Sequence, residues 1–106
     1  MKEGLYKADF RTPLGSGAGV VFLRGGKLWG GDSSMRYTGT YSVEGGSLTA
    51  SVDVKRHSSG QLSVFGQDNV QISLKGKASD TEALVNGSAP QAPGVGFSAS
   101  LTFLSD

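Results

Sequence analysis

Cysteine is absent from the 106 residues. That excludes disulfides, thiolate nucleophiles and cysteine-held metals, and it favours a reducing compartment. Histidine occurs once, as His57, so there is a single candidate base for a Ser-His-Asp arrangement and no histidine pair for a metal. His57 follows Lys55-Arg56 and precedes two serines, the setting of a solvated loop histidine. Charge is sparse and balanced, with ten Lys and Arg against nine Asp and Glu. The basic residues are scattered, Lys55-Arg56-His57 being the densest run, so neither nucleic acid nor a basic partner for an acidic tail is expected. No apolar run approaches the ~18 residues that a membrane-spanning helix needs. The opening MKEGLYKADF lacks the apolar stretch of a secretory signal. A cytoplasmic protein with no membrane partner is the expectation.

Constellations for chemistry are missing too. Asp9, Asp32, Glu44, Asp53, Asp68, Asp80 and Glu82 fall on turns and outward strand positions, with no pairing that suits glycosidic chemistry. GSGAG at 15–19 resembles a piece of a phosphate loop, but no Lys-Ser or Lys-Thr follows it and a strand comes next instead of a helix. GGDSS at 30–34 reads as a strand end and turn. No enzyme, cofactor or metal is expected.

Glycine is what the chain has in excess, 17 residues of it. With recurrent Ser, Thr, β-branched and aromatic residues, the composition suits short strands and turns, and the length suits one domain over 1–106. Gly25-Gly26 and Gly45-Gly46 mark two-residue hairpin turns, whose primed geometry needs positive φ. With Gly45-Gly46 as the loop, Val43 pairs with Leu48, Tyr41 with Ala50, Gly39 with Val52 and Tyr37 with Val54, all on one face. Thr38, Thr40, Ser42, Thr49, Ser51, Asp53 and Lys55 take the other, and a one-residue slip would mix the two.

With Gly25-Gly26 as the loop, Leu23 pairs with Leu28 and Phe22 with Trp29. Here both faces are apolar. The aromatic face, Phe22 and Trp29, is assigned to the interior. Val21, Leu23 and Leu28 then lie outside, as a candidate patch for a homodimer through the second and third strands.

Further alternating segments at 4–11, 69–77, 81–88 and 95–104 complete eight strands, with loops at 58–68, where one short turn fits, and at SAPQAPG. The fold expected is a small eight-stranded antiparallel up-and-down β-barrel, lipocalin-like in architecture, with a two-sheet sandwich as the alternative. Tyr6, Phe10, Phe22, Trp29, Tyr37, Tyr41, Phe97 and Phe103 are the candidates to fill the interior or line a cavity for a small apolar ligand.

The segments GLYKADF, GVVFLRGGKLWGGDSSMRYTGTY and LTASVDVKR resemble the GrlR family of regulators, through Gly4, Tyr6, Gly30, Gly31, Asp32, Tyr37 and Gly39. The resemblance covers most of the chain and is specific in its first half. It implies a lipocalin-like barrel that often dimerises, and negative control of type III secretion genes by sequestering a transcription activator. In the best-known member the partner is gripped by an exposed acidic Glu-Asp-Glu-Asp loop. The corresponding residues here are Val43-Glu44-Gly45-Gly46, with one acid of the four. Glu44, Gly45 and Gly46 are therefore the candidate partner loop, largely stripped of its charge. Two functions follow as expectations: a non-enzymatic regulatory module acting by protein binding, and, alternatively, a carrier or sensor of a small apolar ligand inside the barrel.

Overall fold

A computed structural model of the chain describes residues 1–59, 66 and 68–106. The turn expected within 58–68 falls largely outside these residues. The strands are β1 (Gly4–Thr12), β2 (Gly15–Arg24), β3 (Lys27–Gly31), β4 (Met35–Glu44), β5 (Ser47–Arg56), β6 (Asn69–Ala78), β7 (Glu82–Ser88) and β8 (Phe97–Ser105). Each pairs antiparallel with its neighbour in sequence, and β8 returns to β1. The result is a closed all-β barrel, not a two-sheet sandwich. β8 begins two residues later than the alternation suggests, because the Val95 N–H donates to Ala92 O in a turn instead of joining a ladder. Among the described residues no helix is long and apolar enough to cross a membrane.

Both glycine turns form as the pattern requires. φ is +59° and +80° at Gly25 and Gly26, and +55° and +78° at Gly45 and Gly46. Positive φ at both central positions matches the right-handed twist of the flanking strands. The registers follow: Leu23 faces Leu28 and Phe22 faces Trp29 in one hairpin. Val43 faces Leu48, and Tyr37 faces Val54, in the other. In the second hairpin Leu48, Val52 and Val54 are buried while Thr40, Ser42, Thr49 and Ser51 are exposed.

The first hairpin faces the opposite way from the sequence expectation. Val21, Leu23 and Leu28 are inside, with 6%, 2% and 6% of their surface exposed, and Trp29 is outside at 46%. They form no patch for a dimer. Phe22 and Trp29 do not fill the interior; their rings lie 5.5 Å apart on the outer wall, with the Arg24 guanidinium over Phe22. The neighbouring strands decide the matter, since residues opposite one another share a face. Val21 faces Tyr6, Gly19 faces Ala8 and Gly17 faces Phe10. Leu28 faces Gly39 and Gly30 faces Tyr37. The β1 and β4 faces carrying Tyr6, Phe10 and Tyr37 point inward, so the hairpin between them must bury its aliphatic side.

Glycines on that inner face are needed sterically. A Cβ on Gly19 would stand 2.7 Å from the Tyr37 hydroxyl, and one on Gly17 would stand 2.8 Å from the Phe10 ring. At Gly39 and Gly76 a Cβ would come within 2.0 Å and 1.9 Å of carbonyl oxygens on the next strand, Ser51 O and Leu84 O. Bare backbone at these positions lets the sheet coil tightly enough to close.

Removing methyl groups from the inner face should therefore be costly and removing hydroxyls from the outer face should not. Val52→Ala is expected to lower stability by about 1–2 kcal/mol and Ser51→Ala by less than about 0.5 kcal/mol. Urea midpoints of the two variants check the difference.

Candidate functional site

The barrel has two unlike ends. At one end lie the tight turns at 25–26, 45–46 and 79–81, together with the N-terminal residues. The Lys2 N–H donates to Asp80 O at 2.8 Å. The Tyr6 hydroxyl donates to Lys2 O at 2.5 Å. The Tyr6 ring meets Phe103 edge-on at 5.4 Å, Lys2 Nζ sits over Phe103, and Met1 packs against the core. This end is a sealed floor whose polar groups are bonded to one another.

Above the floor is a cavity of about 250 Å³. Its walls are aliphatic, with Val21, Leu23, Leu28, Val52, Ile72 and Leu74 among them. Ala8, Ala50 and Ala99 also face it. Small inward residues leave unfilled space where Leu or Phe would close it. At the far end the cavity reaches Asp32, Ser33 and Ser34 of the β3–β4 connection, Ser16 at the start of β2, and the rings of Phe10, Tyr37 and Phe97. Phe10 meets Tyr37 edge-on at 6.1 Å and stacks on Phe97 at 6.0 Å.

Asp32 organises that rim. Its Oδ1 accepts the backbone N–H groups of Ser34 and Met35 at 2.8 and 2.7 Å, an Asx-type turn that carries the chain from β3 into β4. Its Oδ2 accepts the hydroxyl of Tyr37. Its carbonyl bonds His57 Nε2 at 2.9 Å, and the His57 N–H donates to Ser34 O at 2.9 Å. His57 is exposed, as the sequence suggested, yet it braces the turn from outside. Burial, then the hydrogen bond to Asp32, then the negative charge of Asp32 push the Tyr37 phenol far above its ordinary pKa. Tyr37 is therefore a neutral donor to Asp32 at any physiological pH, not a base.

The aromatic candidates separate by height. Tyr6 and Phe103 build the floor, Tyr41 lines the lower cavity, Phe10, Tyr37 and Phe97 ring the mouth, and Phe22 and Trp29 lie outside. The candidate partner loop, Glu44, Gly45 and Gly46, is an exposed hairpin tip at the sealed end, remote from the mouth in the barrel's up-and-down order. Asp32 is the site residue that sequence reasoning missed: it read as turn punctuation. The available signal was an Asp-Ser-Ser turn five residues before a Tyr on an inward position. Among the described residues no group of three or more His, Cys, Asp or Glu could hold a metal.

No protein-family model matches this chain, and no curated protein matches it.

The raised pKa of Tyr37 has a consequence for stability. The unfolded chain releases the phenol proton near pH 10.0, whereas the folded protein holds it well beyond. Stabilisation from this group is thus complete below about pH 10 and is lost as pH rises above it, by about 1.4 kcal/mol per pH unit for one proton. Tyr6 and Tyr41 are raised too, chiefly by burial, and add to the slope. Tyr37→Phe is expected to be less stable at pH 7 by about 1 kcal/mol and to decline less steeply above pH 10. Denaturant midpoints from pH 8 to 11 test both statements.

Proposed function

We propose that this barrel is a non-enzymatic carrier or sensor that encloses a small, mainly apolar ligand. The observation that carries the reading is the mainly aliphatic cavity of about 250 Å³, closed at the floor and with its polar lining residues, Tyr41 excepted, gathered at its mouth. A fold of this size has ~5–15 kcal/mol of stability in all, and unfilled apolar space subtracts from it. Larger side chains at Ala8, Ala50 or Ala99 would remove that loss, so the alanines keep room for an occupant. The volume lies between the ~150 Å³ of a benzene-sized void and the ~300–1,000 Å³ of drug-sized pockets. At the mouth, Tyr37 and Asp32 are bonded to each other, an arrangement for positioning more than for proton transfer. The lack of cysteine suits a reducing cytoplasm.

Benzene and indole are suitable probes. Their titration should give saturable NMR shifts at the methyl groups of Leu23, Val52 and Ile72, and Ala99→Leu should weaken binding by about tenfold or more by taking up the space. Shifts confined to the outer wall, or none at all, would remove the reading.

A protein-binding regulator of the GrlR kind is the second reading. It is favoured by the apolar strip on the outer wall, where Val20 and Trp29 are exposed and the half-buried Phe22 ring lies against Trp29. Self-association or capture of a regulator by this protein would use that strip in place of Val21, Leu23 and Leu28. Trp29→Glu should then reduce sedimentation from dimer to monomer while the far-UV spectrum is unchanged. A wild type that sediments as a monomer at about 50 μM argues against the dimer, since a standard interface of ~1,600 Å² ordinarily holds at that concentration.

A further inference from the structure

We propose that the ligand of the cavity is a small amphipathic amine, with its ammonium group at Asp32 and Tyr37 and its apolar body in the barrel. The proposal rests on the ligand-binding reading above and names the chemical class that the mouth selects.

Hydrogen-bond bookkeeping sets the polarity. The Tyr37 hydroxyl has one hydrogen, and it is committed to Asp32 Oδ2. Asp32 Oδ1 is occupied by the N–H groups of Ser34 and Met35. What this pair still offers a ligand is lone pairs, on Oδ2 and on the phenol oxygen. Both accept, and neither can donate. The hydroxyls of Ser16, Ser33 and Ser34 near the same rim turn to suit either kind of ligand, so they do not offset the bias.

Charge points the same way. The ion pairs among the described residues are Lys7–Asp9 and Arg56–Asp68. Neither involves Asp32, and residues 60–65 and 67 include no Lys or Arg. The Asp32 carboxylate therefore stands at the end of an apolar cavity with hydrogen bonds but no ion pair among the described residues. A ligand carboxylate brought to this end would meet a like charge, whereas an ammonium would complete the pair and carry up to three donors.

The aromatic rim is an independent observation with the same implication. Phe10 stands edge-on to Tyr37 and stacked with Phe97, and all three line the cavity at the Asp32 end, so aromatic rings and a carboxylate occur together there. Ammonium groups are attracted to ring faces, and more strongly where water is excluded. At the opposite end the Tyr6 hydroxyl is turned to the Lys2 and Asp80 carbonyls. Among the described lining residues the lower cavity has one polar side chain, Tyr41, and the one carboxylate, Asp32, is at the mouth. An ammonium is therefore drawn to the mouth, with the apolar end down. At about 250 Å³ the space suits a benzene ring with a short chain.

A matched set of ligands tests the class: 2-phenylethylamine, 2-phenylethanol, 3-phenylpropionate and ethylbenzene, titrated calorimetrically at pH 7. The amine should bind about tenfold tighter than the alcohol or ethylbenzene, with the carboxylate weakest. Asp32→Asn should bring the amine's affinity down to that of the alcohol measured in the same variant, a ratio that loosening of the turn alone would not change, since both ligands share the apolar body. Should Asp32→Asn fail to fold, Tyr37→Phe provides the second reading, and it should narrow the gap between amine and alcohol. An amine no tighter than the alcohol, or a carboxylate as tight as the amine, overturns the proposal while leaving the carrier function standing. Failure of all four to bind removes both.

Discussion

The ladder between β1 and β8 is the constraint on which the rest of this protein depends. It runs through seven paired positions, from Leu5 opposite Ser105 to Arg11 opposite Ser98. Without it the sheet would have two open edges and no inside. Closing eight strands fixes a narrow interior and obliges some inward positions to carry no side chain. Gly30, Gly39 and Gly76 take that role where a neighbouring strand's carbonyl oxygens approach most closely. Alanine at positions 8, 50 and 99 leaves the remaining room. The cavity is the difference between the space that closure creates and the side chains supplied to fill it.

The polar architecture is arranged along the barrel axis. At the floor, Lys2, Tyr6 and Asp80 are hydrogen-bonded to one another. At the mouth, Asp32 holds together a turn, a phenol and, through its carbonyl, His57. One carboxylate thus shapes the backbone that connects β3 to β4 and the polarity of the cavity opening. Structure and selectivity are not separable at this residue.

How much was legible in the sequence differed from one element to the next. The hairpin of Tyr37 to Arg56 could be read in full, because glycine pairs specify the turn and strict alternation specifies the faces. The hairpin of Val21 to Leu28 could not be read from its own residues, since Leu23 and Phe22 are equally apolar. Size suggested aromatic residues inside, and the opposite is found. The missing information was in the neighbours. Gly17, Gly19 and Gly30 share parity with Val21, Leu23 and Leu28, as Gly39 does with Tyr37 and Tyr41. Most strand glycines in this barrel lie on the crowded inner face, and Gly17 and Gly19 of β2 would have assigned the hairpin correctly, whereas in β3 the adjacent Gly30 and Gly31 fall on opposite faces. Asp32 was half legible: the Asp-Ser-Ser turn before an inward Tyr could be seen, but the bond from its carboxylate to Tyr37 spans a turn whose geometry no spacing rule specifies.

The same β1–β8 seam sets a timetable for the growing polypeptide. The two strands that close the barrel are the first and the last to be made, with residues 13–96 between them. At ribosomal rates of ~5–20 residues per second, β1 waits roughly 4–17 seconds for its partner. Until then its outer edge presents unpaired N–H and C=O groups to any strand in the neighbourhood. Of the residues that face outward along it, Lys7, Asp9 and Arg11 are charged and Leu5 is not, and charge is what discourages a foreign strand from pairing there. The seam that finishes the molecule is thus also the one that must be guarded longest.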